Sequence, residues 1–410
     1  MVDAARIMAR CEALARHSEL AGGLTRVFLS TQSHAAAGEV LGWMEAAGMR
    51  ARLDAIGNVH GRYESASPGA PCLVLGSHLD TVRDAGRYDG ILGVVSAIEC
   101  VHSLSARGVR LPFAVEVIGF GDEEGVRFGT TLLGSRALAG LLEPAVLEAR
   151  DASGVSIAEG LRAWRLDPRD VPSVKKEKGS ALAYVELHIE QGPVLEAEGL
   201  PLGVVTAING FSRLRATLTG TAGHAGTVPM RLRRDALAAA AECVLAVERV
   251  AKSDPELVGT VGRIEAHPGA INVIPGSVVF TIDFRAPRDE LREDAVRKVT
   301  GEIEALCSRR NVEATVQPLQ SMGVTRCAEW LMGQLDAAVA AQGVPVRRLP
   351  SGAGHDGMAL QALCDIGMLF VRCRGGVSHN PAEAISEADA GAGARALLHF
   401  IEHFVPRGGA

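Results

Sequence analysis

The sequence has no CxxC pair, no long basic run, no uninterrupted apolar stretch of membrane-spanning length and no G-x-S-x-G turn. Each absence removes a class of protein. Eight cysteines scattered singly over 410 residues are too sparse for a disulfide framework, so a reducing, cytoplasmic setting is expected. Lys and Arg number 42 against 48 Asp and Glu, a net charge of −6; this offers nothing to a phosphate backbone, and no nucleic-acid partner is expected. The opening MVDAARIMARCEALARHSEL lacks the apolar core of a signal peptide. The Ala-rich stretch from Ala236 to Val247 carries Glu242 and is far shorter than the ~18 residues of a membrane span. Without the nucleophile turn a serine hydrolase is disfavoured as well. No internal repeat or low-complexity tract is visible, and residues 407–410 read as a frayed tail.

What is present is an ordinary globular composition, 47% hydrophobic and 22% charged, with a surplus of glycine at 47 residues for tight turns and loop-built sites. At about 150 residues per domain the length predicts two to three domains. To about residue 208 short apolar runs alternate with helical stretches, the β/α succession that builds a parallel sheet. The candidate strands are 72–77, 113–120 and 182–187, with a fourth far downstream at 367–373. Between 209 and 322 the order changes to β-α-β-β-α-β, a ferredoxin-like unit. The simplest account is an α/β catalytic domain made of 1–208 and 323–410, with 209–322 inserted into it.

Acidic and imidazole side chains gather where the apolar runs end. After CLVLGS come His78, Asp80 and Asp89; after FAVEVIGFG come Asp122, Glu123 and Glu124; after LAYVEL comes His188; after GMLFVRC and a Gly-rich turn comes His379. Ligands bind outside the carboxyl ends of strands in open α/β sheets, so these residues are expected to converge. Mixed imidazole and carboxylate ligands suit zinc, with manganese or cobalt as competent substitutes. Five candidate ligands exceed the need of one catalytic ion, whereas two ions sharing a carboxylate account for the surplus. Asp89, in the Gly-rich AGRYDGILG, is the best bridge. Asp80, two residues after His78, is placed to accept the far imidazole N–H. Of the adjacent pair Glu123 and Glu124, one would bind metal and the other take a proton from water.

These stretches resemble a known family. GSHLDTV, GRYDGILGVV, GDEEGVRFG, ELHIEQGPVLE, GTAGHAGTVPMRLRRDAL, INVIPGSVVFTIDFR, SGAGHDGMA and GGVSHNPAEAIS are similar, in order, to the motifs of dinuclear-zinc amidohydrolases. The branch is that of N-carbamoyl-L-amino-acid hydrolases, β-ureidopropionases and allantoate amidohydrolases. The resemblance implies that His78, Asp89 and His188 hold one ion, that Asp89, Glu124 and His379 hold the other, and that Glu123 is the general base. It implies a homodimer in which the inserted unit is lid and dimerisation domain and His224 reaches the neighbouring subunit's site to hold the oxyanion. Asn272 and Arg285 match substrate-carboxylate anchors, Gln191 lies in the motif that sets this branch apart, and Gly354 and His355 fall in a substrate-side motif. A salt bridge from Arg285 to Asp283 is the plainer role for that residue. Gly357 after HisAsp, and Phe211 with Ser212, depart from the family pattern and bear on substrate detail. The expected reaction removes a carbamoyl group from a carboxylate-bearing ureido compound, allantoate by the likeness of GLTRVFLS, LGWMEAAGM and MLFVRCRGGVSHNPAE. An N-carbamoyl-L-amino acid is the alternative, and a dipeptidase or deacylase the more distant one. GAGHDG at 352–357 also matches GxGxxG, but the preceding VPVRRLP is short, basic and ends in Pro, and no acidic residue follows at the spacing a dinucleotide site requires.

Overall fold

A computed structural model describes residues 2–67 and 69–407; the tail beyond Arg407, read as frayed, lies outside the described residues. The chain divides into two compact units, 1–206 with 326–410, and 207–325.

Among the described residues a nine-stranded sheet runs Arg50–Leu53, Val59–Tyr63, Ala114–Phe120, Cys72–His78, Ala181–Ile189, Ile366–Val371, Leu202–Ile208 and Thr325–Arg326, with Arg348–Ser351 also paired to Leu202–Ile208. The four strands from Ala114–Phe120 to Ile366–Val371 are parallel, and Arg50–Leu53, Val59–Tyr63 and Leu202–Ile208 pair antiparallel on either side of them. The four parallel strands are the four apolar runs expected from the sequence, and nearly every residue in them is buried. A strand covered on both faces reads as a continuous apolar run. Helices supply the cover. Ile91–Ala106 packs on the Cys72–His78 and Ala181–Ile189 strands, and Glu387–His403 packs on that helix and on Ile366–Val371. His78 is level with Phe120, and His188 with Phe370, so four carboxyl ends open at one edge. No described helix is long and apolar enough to cross a membrane.

The second unit is a four-stranded antiparallel sheet in the order Glu313–Met322, Gly210–Thr219, Ser277–Ala286, Val258–His267. Burial alternates along Gly210–Thr219 and Ser277–Ala286, the period of a sheet covered on one face. The inward set, including Leu214, Leu218, Phe280 and Phe284, packs against the helices Ala236–Ala251 and Asp289–Arg309. Asp235 caps the first helix by accepting from the N–H groups of Leu237 and Ala238. A short pair, Gly223–His224 with Val273–Ile274, stands beside this sheet.

Candidate metal centre

Asp89 is the hub of the parallel-strand edge. Its Oδ1 lies 3.2 Å from His188 Nε2 and 3.6 Å from His78 Nε2, while Oδ2 lies 3.1 Å from His379 Nε2. His379 Nε2 is also 3.3 Å from Glu124 Oε1. The two carboxylate oxygens thus face two different sets, and the ligand atoms of His78, Asp89 and His188, and of Asp89, Glu124 and His379, each form a group able to hold a metal ion. A third such group, His78 with Glu123 and Glu124, shares residues with both.

Local structure aims these groups. His78 Nδ1 is 3.0 Å from the carbonyl of Asp80, and His188 Nδ1 is 2.9 Å from the carbonyl of Ile189. A carbonyl only accepts, so each Nδ1 carries the proton and each Nε2 presents a lone pair to the centre. This corrects one expectation: the Asp80 carboxylate is 3.9 Å from His78 Nδ1 and does not orient it, because the nearer carbonyl of the same residue does. The carboxylate instead accepts the backbone N–H groups of Glu123 and Glu124 at 3.1 and 3.2 Å, holding the turn that carries both acids. Gly90, at φ +70°, lets the chain pass beneath His78; a Cβ there would stand 2.5 Å from the imidazole.

The electrostatics fit a cation-binding set. Burial opposes charge throughout, yet contacts with His188, His379 and His78 draw the Asp89 carboxyl well below its ordinary value. Asp89 in turn raises His78 and His188 against burial, and with Glu124 it raises His379 to about 10. At Glu123 burial prevails and pushes the carboxyl well up, His78 opposing and Glu124 adding to it. Asp89 Oδ1 is buried without a hydrogen-bond partner, a costly condition that a divalent ion at the centre removes. The donor set and this orphaned oxygen fit two divalent ions.

The remaining expected residues divide between the units. Gln191 donates from Nε2 to Asp89 Oδ2 at 3.1 Å and to Ser378 Oγ at 3.2 Å; its Oε1 is buried and unpartnered. Gly354 lies beside Glu123, whose Oε1 would be 3.9 Å from a Cβ added there. His355 departs from expectation. Its ring is 1% exposed, packs edge-on to His188 at 4.5 Å and meets Ser351 Oγ at 2.7 Å, so it backs a cluster histidine where a substrate contact was expected. His224, Asn272 and Arg285 belong to the second unit. His224 is exposed, and its Nδ1 accepts the N–H of Gly226 at 3.0 Å, which leaves Nε2 as the protonated, donating nitrogen. The Asn272 carbonyl accepts the N–H of Ala225. Arg285 pairs with Asp283 at 3.2 Å, the plainer role foreseen for it, and its side chain stays 31% exposed. Phe211, one of the two departures from the family pattern, lies under the guanidinium of Arg213 at 4.7 Å.

Two residues at the centre went unnoticed in the sequence. Glu383 accepts the backbone N–H groups of Tyr88 and Asp89 at 2.8 and 3.2 Å, and Ser378 donates to Glu383 at 2.8 Å. They tether the Asp89 loop across nearly 300 residues of chain. Their only sequence signal is a place in GGVSHNPAEAIS beside His379.

A mixed α/β domain with a His and carboxylate cluster at the parallel-strand edge and an inserted α+β unit defines a metal-dependent hydrolase. The chain belongs to peptidase family M20/M25/M40, whose profile matches residues 74–403. It is 43% identical to an N-carbamoyl-L-amino acid amidohydrolase of Geobacillus stearothermophilus over 93% of both chains. It is equally 43% identical to allantoate deiminase 1 of Glycine max, over 97% of this chain and 88% of that one. Among solved structures, a hydantoinase/carbamoylase family amidase from Burkholderia multivorans superposes with a TM-score of 0.92 at 32% identity, over 98% of this chain and 97% of that one. The chain is accordingly an enzyme that hydrolyses carbon–nitrogen bonds.

Proposed function

We propose that the protein is an allantoate amidohydrolase, releasing ammonia and carbon dioxide from the carbamoyl group of allantoate; N-carbamoyl-L-amino-acid hydrolysis is the alternative. The observation that carries the metal-dependent chemistry common to both is the division of the Asp89 oxygens between two ligand groups. In it Asp89 is the bridge, His78 and His188 complete one site, and Glu124 and His379 the other. Two divalent ions, zinc by its ligand preference and manganese or cobalt as substitutes, would supply water acidified toward neutrality and polarise the scissile carbonyl.

The chain's own residues do the rest. Glu123 takes the proton of the attacking water and passes it to the leaving nitrogen. Asp80 holds the Glu123 and Glu124 turn in place, and Gln191 fixes Asp89 from the side. His224, with Nε2 as donor, is suited to hold an oxyanion; in the homodimer it would serve the partner subunit's centre, with 207–325 as lid and dimerisation unit. Arg285 and Asn272 anchor the substrate carboxylate, the guanidinium by its planar fork. The free, mostly buried cysteines suit the reducing cytoplasm. Likeness at equal identity to relatives of both specificities supports the kind of reaction, and the stretches singled out in the sequence support allantoate.

The test is ammonia release by protein reconstituted separately with zinc, manganese and cobalt, offered allantoate and several N-carbamoyl-L-amino acids, with dipeptides followed by amine detection. Turnover of allantoate above the others is expected. Cleavage of dipeptides alone would overturn the carbamoyl assignment while leaving the metal centre standing.

A further inference from the structure

A cavity of about 490 Å³ lies in the first unit, lined by Arg50, Arg52, Arg62 and Lys176 together with Glu64 and Glu116. The pairings Arg50 with Arg62, Arg52 with His60, and Arg62 with Glu116 place this set on one face at the edge of the sheet. Cations exceed carboxylates by two there, in a chain whose net charge is −6. Arg50 stands directly opposite Arg62, a like-charge pairing that destabilises a sheet unless an anion lies between. Glu64 answers part of this, at 3.4 Å from Arg50 and 3.0 Å from Arg62. Beyond its place in the strand ladder, the Arg52 side chain has no ion pair or hydrogen bond among the described residues. The volume is within the usual range of small-ligand sites.

The inner wall is connected by a chain of hydrogen bonds to the backbone just before the Glu123 and Glu124 turn. Lys176 Nζ donates to Glu116 Oε2 at 2.6 Å, and Glu116 Oε1 meets His60 Nδ1 at 3.0 Å. His60 Nε2 meets Asp54 Oδ2 at 2.9 Å, and Asp54 accepts Asn58 Nδ2 at 2.9 Å. Asn58 Oδ1 then accepts the N–H of Gly121 at 3.1 Å, the residue that opens the Asp122, Glu123, Glu124 turn. His60, Glu116, Asp54 and Asn58 are all buried.

We propose that this cavity binds a small phosphate-bearing anion, which acts on the loop of Glu123 and Glu124 through Glu116, His60, Asp54 and Asn58. Two guanidinium forks on alternate residues of one strand, with a third opposite, suit the several acceptor oxygens of a phosphoryl group better than one carboxylate. An anion seated there competes with Glu116 for Lys176 and Arg62, which is how binding would be felt at His60.

The experiment titrates the metal-loaded enzyme with inorganic phosphate and, separately, glycerol phosphate, by calorimetry and by turnover at constant ionic strength. The comparison is Arg50→Gln/Arg52→Gln, two exposed residues outside the catalytic machinery. Saturable binding is expected, weakened at least about tenfold in the variant, with a change in wild-type turnover that has the same half-point and is lost in the variant. Tighter binding of the ester would identify an organophosphate as the ligand, and equal binding inorganic phosphate. Affinity unchanged in the variant would assign the anion to the metal centre and overturn the site, as would no saturable binding. Arginine-dependent binding with flat turnover would overturn the action on the loop. Calorimetry needs no substrate, so these outcomes are separate from any failure of the allantoate assignment.

Discussion

Replacing Glu123 by Gln keeps the size of the side chain and its place beside His78 and Glu124, and removes its capacity to accept a proton. Two roles compete for this residue in the geometry. Its oxygen lies close enough to His78 and Glu124 to join a metal group, yet it is not needed for either group built on Asp89. As a general base it contributes about 10²–10⁴-fold in rate, which at about 1.4 kcal/mol per factor of ten is roughly 3–5 kcal/mol of transition-state stabilisation. The Glu123→Gln protein is therefore expected to bind two ions per chain, measured by elemental analysis after gel filtration, and to lose about 10²-fold or more in kcat with KM little changed. The Asp80 carboxylate still holds the backbone of the turn, so the fold around the centre should survive, which thermal unfolding checks. A variant with near wild-type kcat refutes the base. A variant that has lost one ion refutes the division of roles and makes Glu123 a ligand.

Asp89→Asn should strip charge from both metal groups together, so metal content should fall at both sites in one step; loss of a single ion would mean that Asp89 is not shared. Gly90→Ala places a Cβ against the His78 ring at φ +70°, and should cost about 1–3 kcal/mol in unfolding free energy along with metal affinity; wild-type metal affinity would mean that the loop yields. Arg285→Gln should chiefly raise KM for carboxylate-bearing substrates, and an unchanged KM would locate the anchor elsewhere. His60→Gln leaves the buried Asp54 and Glu116 without their shared partner and should cost about 3–5 kcal/mol near neutrality, read by denaturant unfolding. The same pair predicts a pH profile for wild-type stability. Burial lowers His60, but Asp54 and Glu116 outweigh it and hold the imidazole above its ordinary 6.5, so its contribution is complete below that pH and fades as pH rises through the folded value. Burial raises Glu116, but His60 and Lys176 hold it below its ordinary 4.5, so its contribution is present above that pH and is lost as acid titrates through the folded value. The difference between wild type and His60→Gln should be greatest between these limits, and a flat difference would refute the pairing.

Much of the fold was legible from periodicity. The four parallel strands stand out as apolar runs because both their faces are covered, and the alternation along Ser277–Ala286 marks a sheet with one covered face. Three further strands were missed: Val59–Tyr63 and Leu202–Ile208 are largely buried, but their short runs are broken by His60, Gly61 and Arg62 and by Gly203 and Thr206, whereas Arg50–Leu53 is uncovered. They flank the parallel core as antiparallel strands, and Arg50–Leu53 alternates exposed and half-buried residues, so its composition, Arg-Ala-Arg-Leu, looks like a loop. Among site residues, those at strand ends were readable because chain direction in a parallel sheet dictates which ends meet. Glu383 was not readable, since its partners are backbone N–H groups nearly 300 residues away, nor was Ser378, whose hydroxyl meets the remote Asp89 carboxylate and Gln191 amide; no local pattern encodes such contacts.

By itself the sequence determined the donor set and the sheet edge at which it collects, because residue type and strand direction are local properties. Only the tertiary structure decided how those donors are aimed. It turned each Nε2 of His78 and His188 inward by tying Nδ1 to a carbonyl, moved Asp80 from orienting an imidazole to pinning a turn, set His355 behind His188, and opened the two oxygens of Asp89 to different partners. Those outcomes depend on distances of a few tenths of an ångström between segments remote in the chain, and packing of the whole unit sets them.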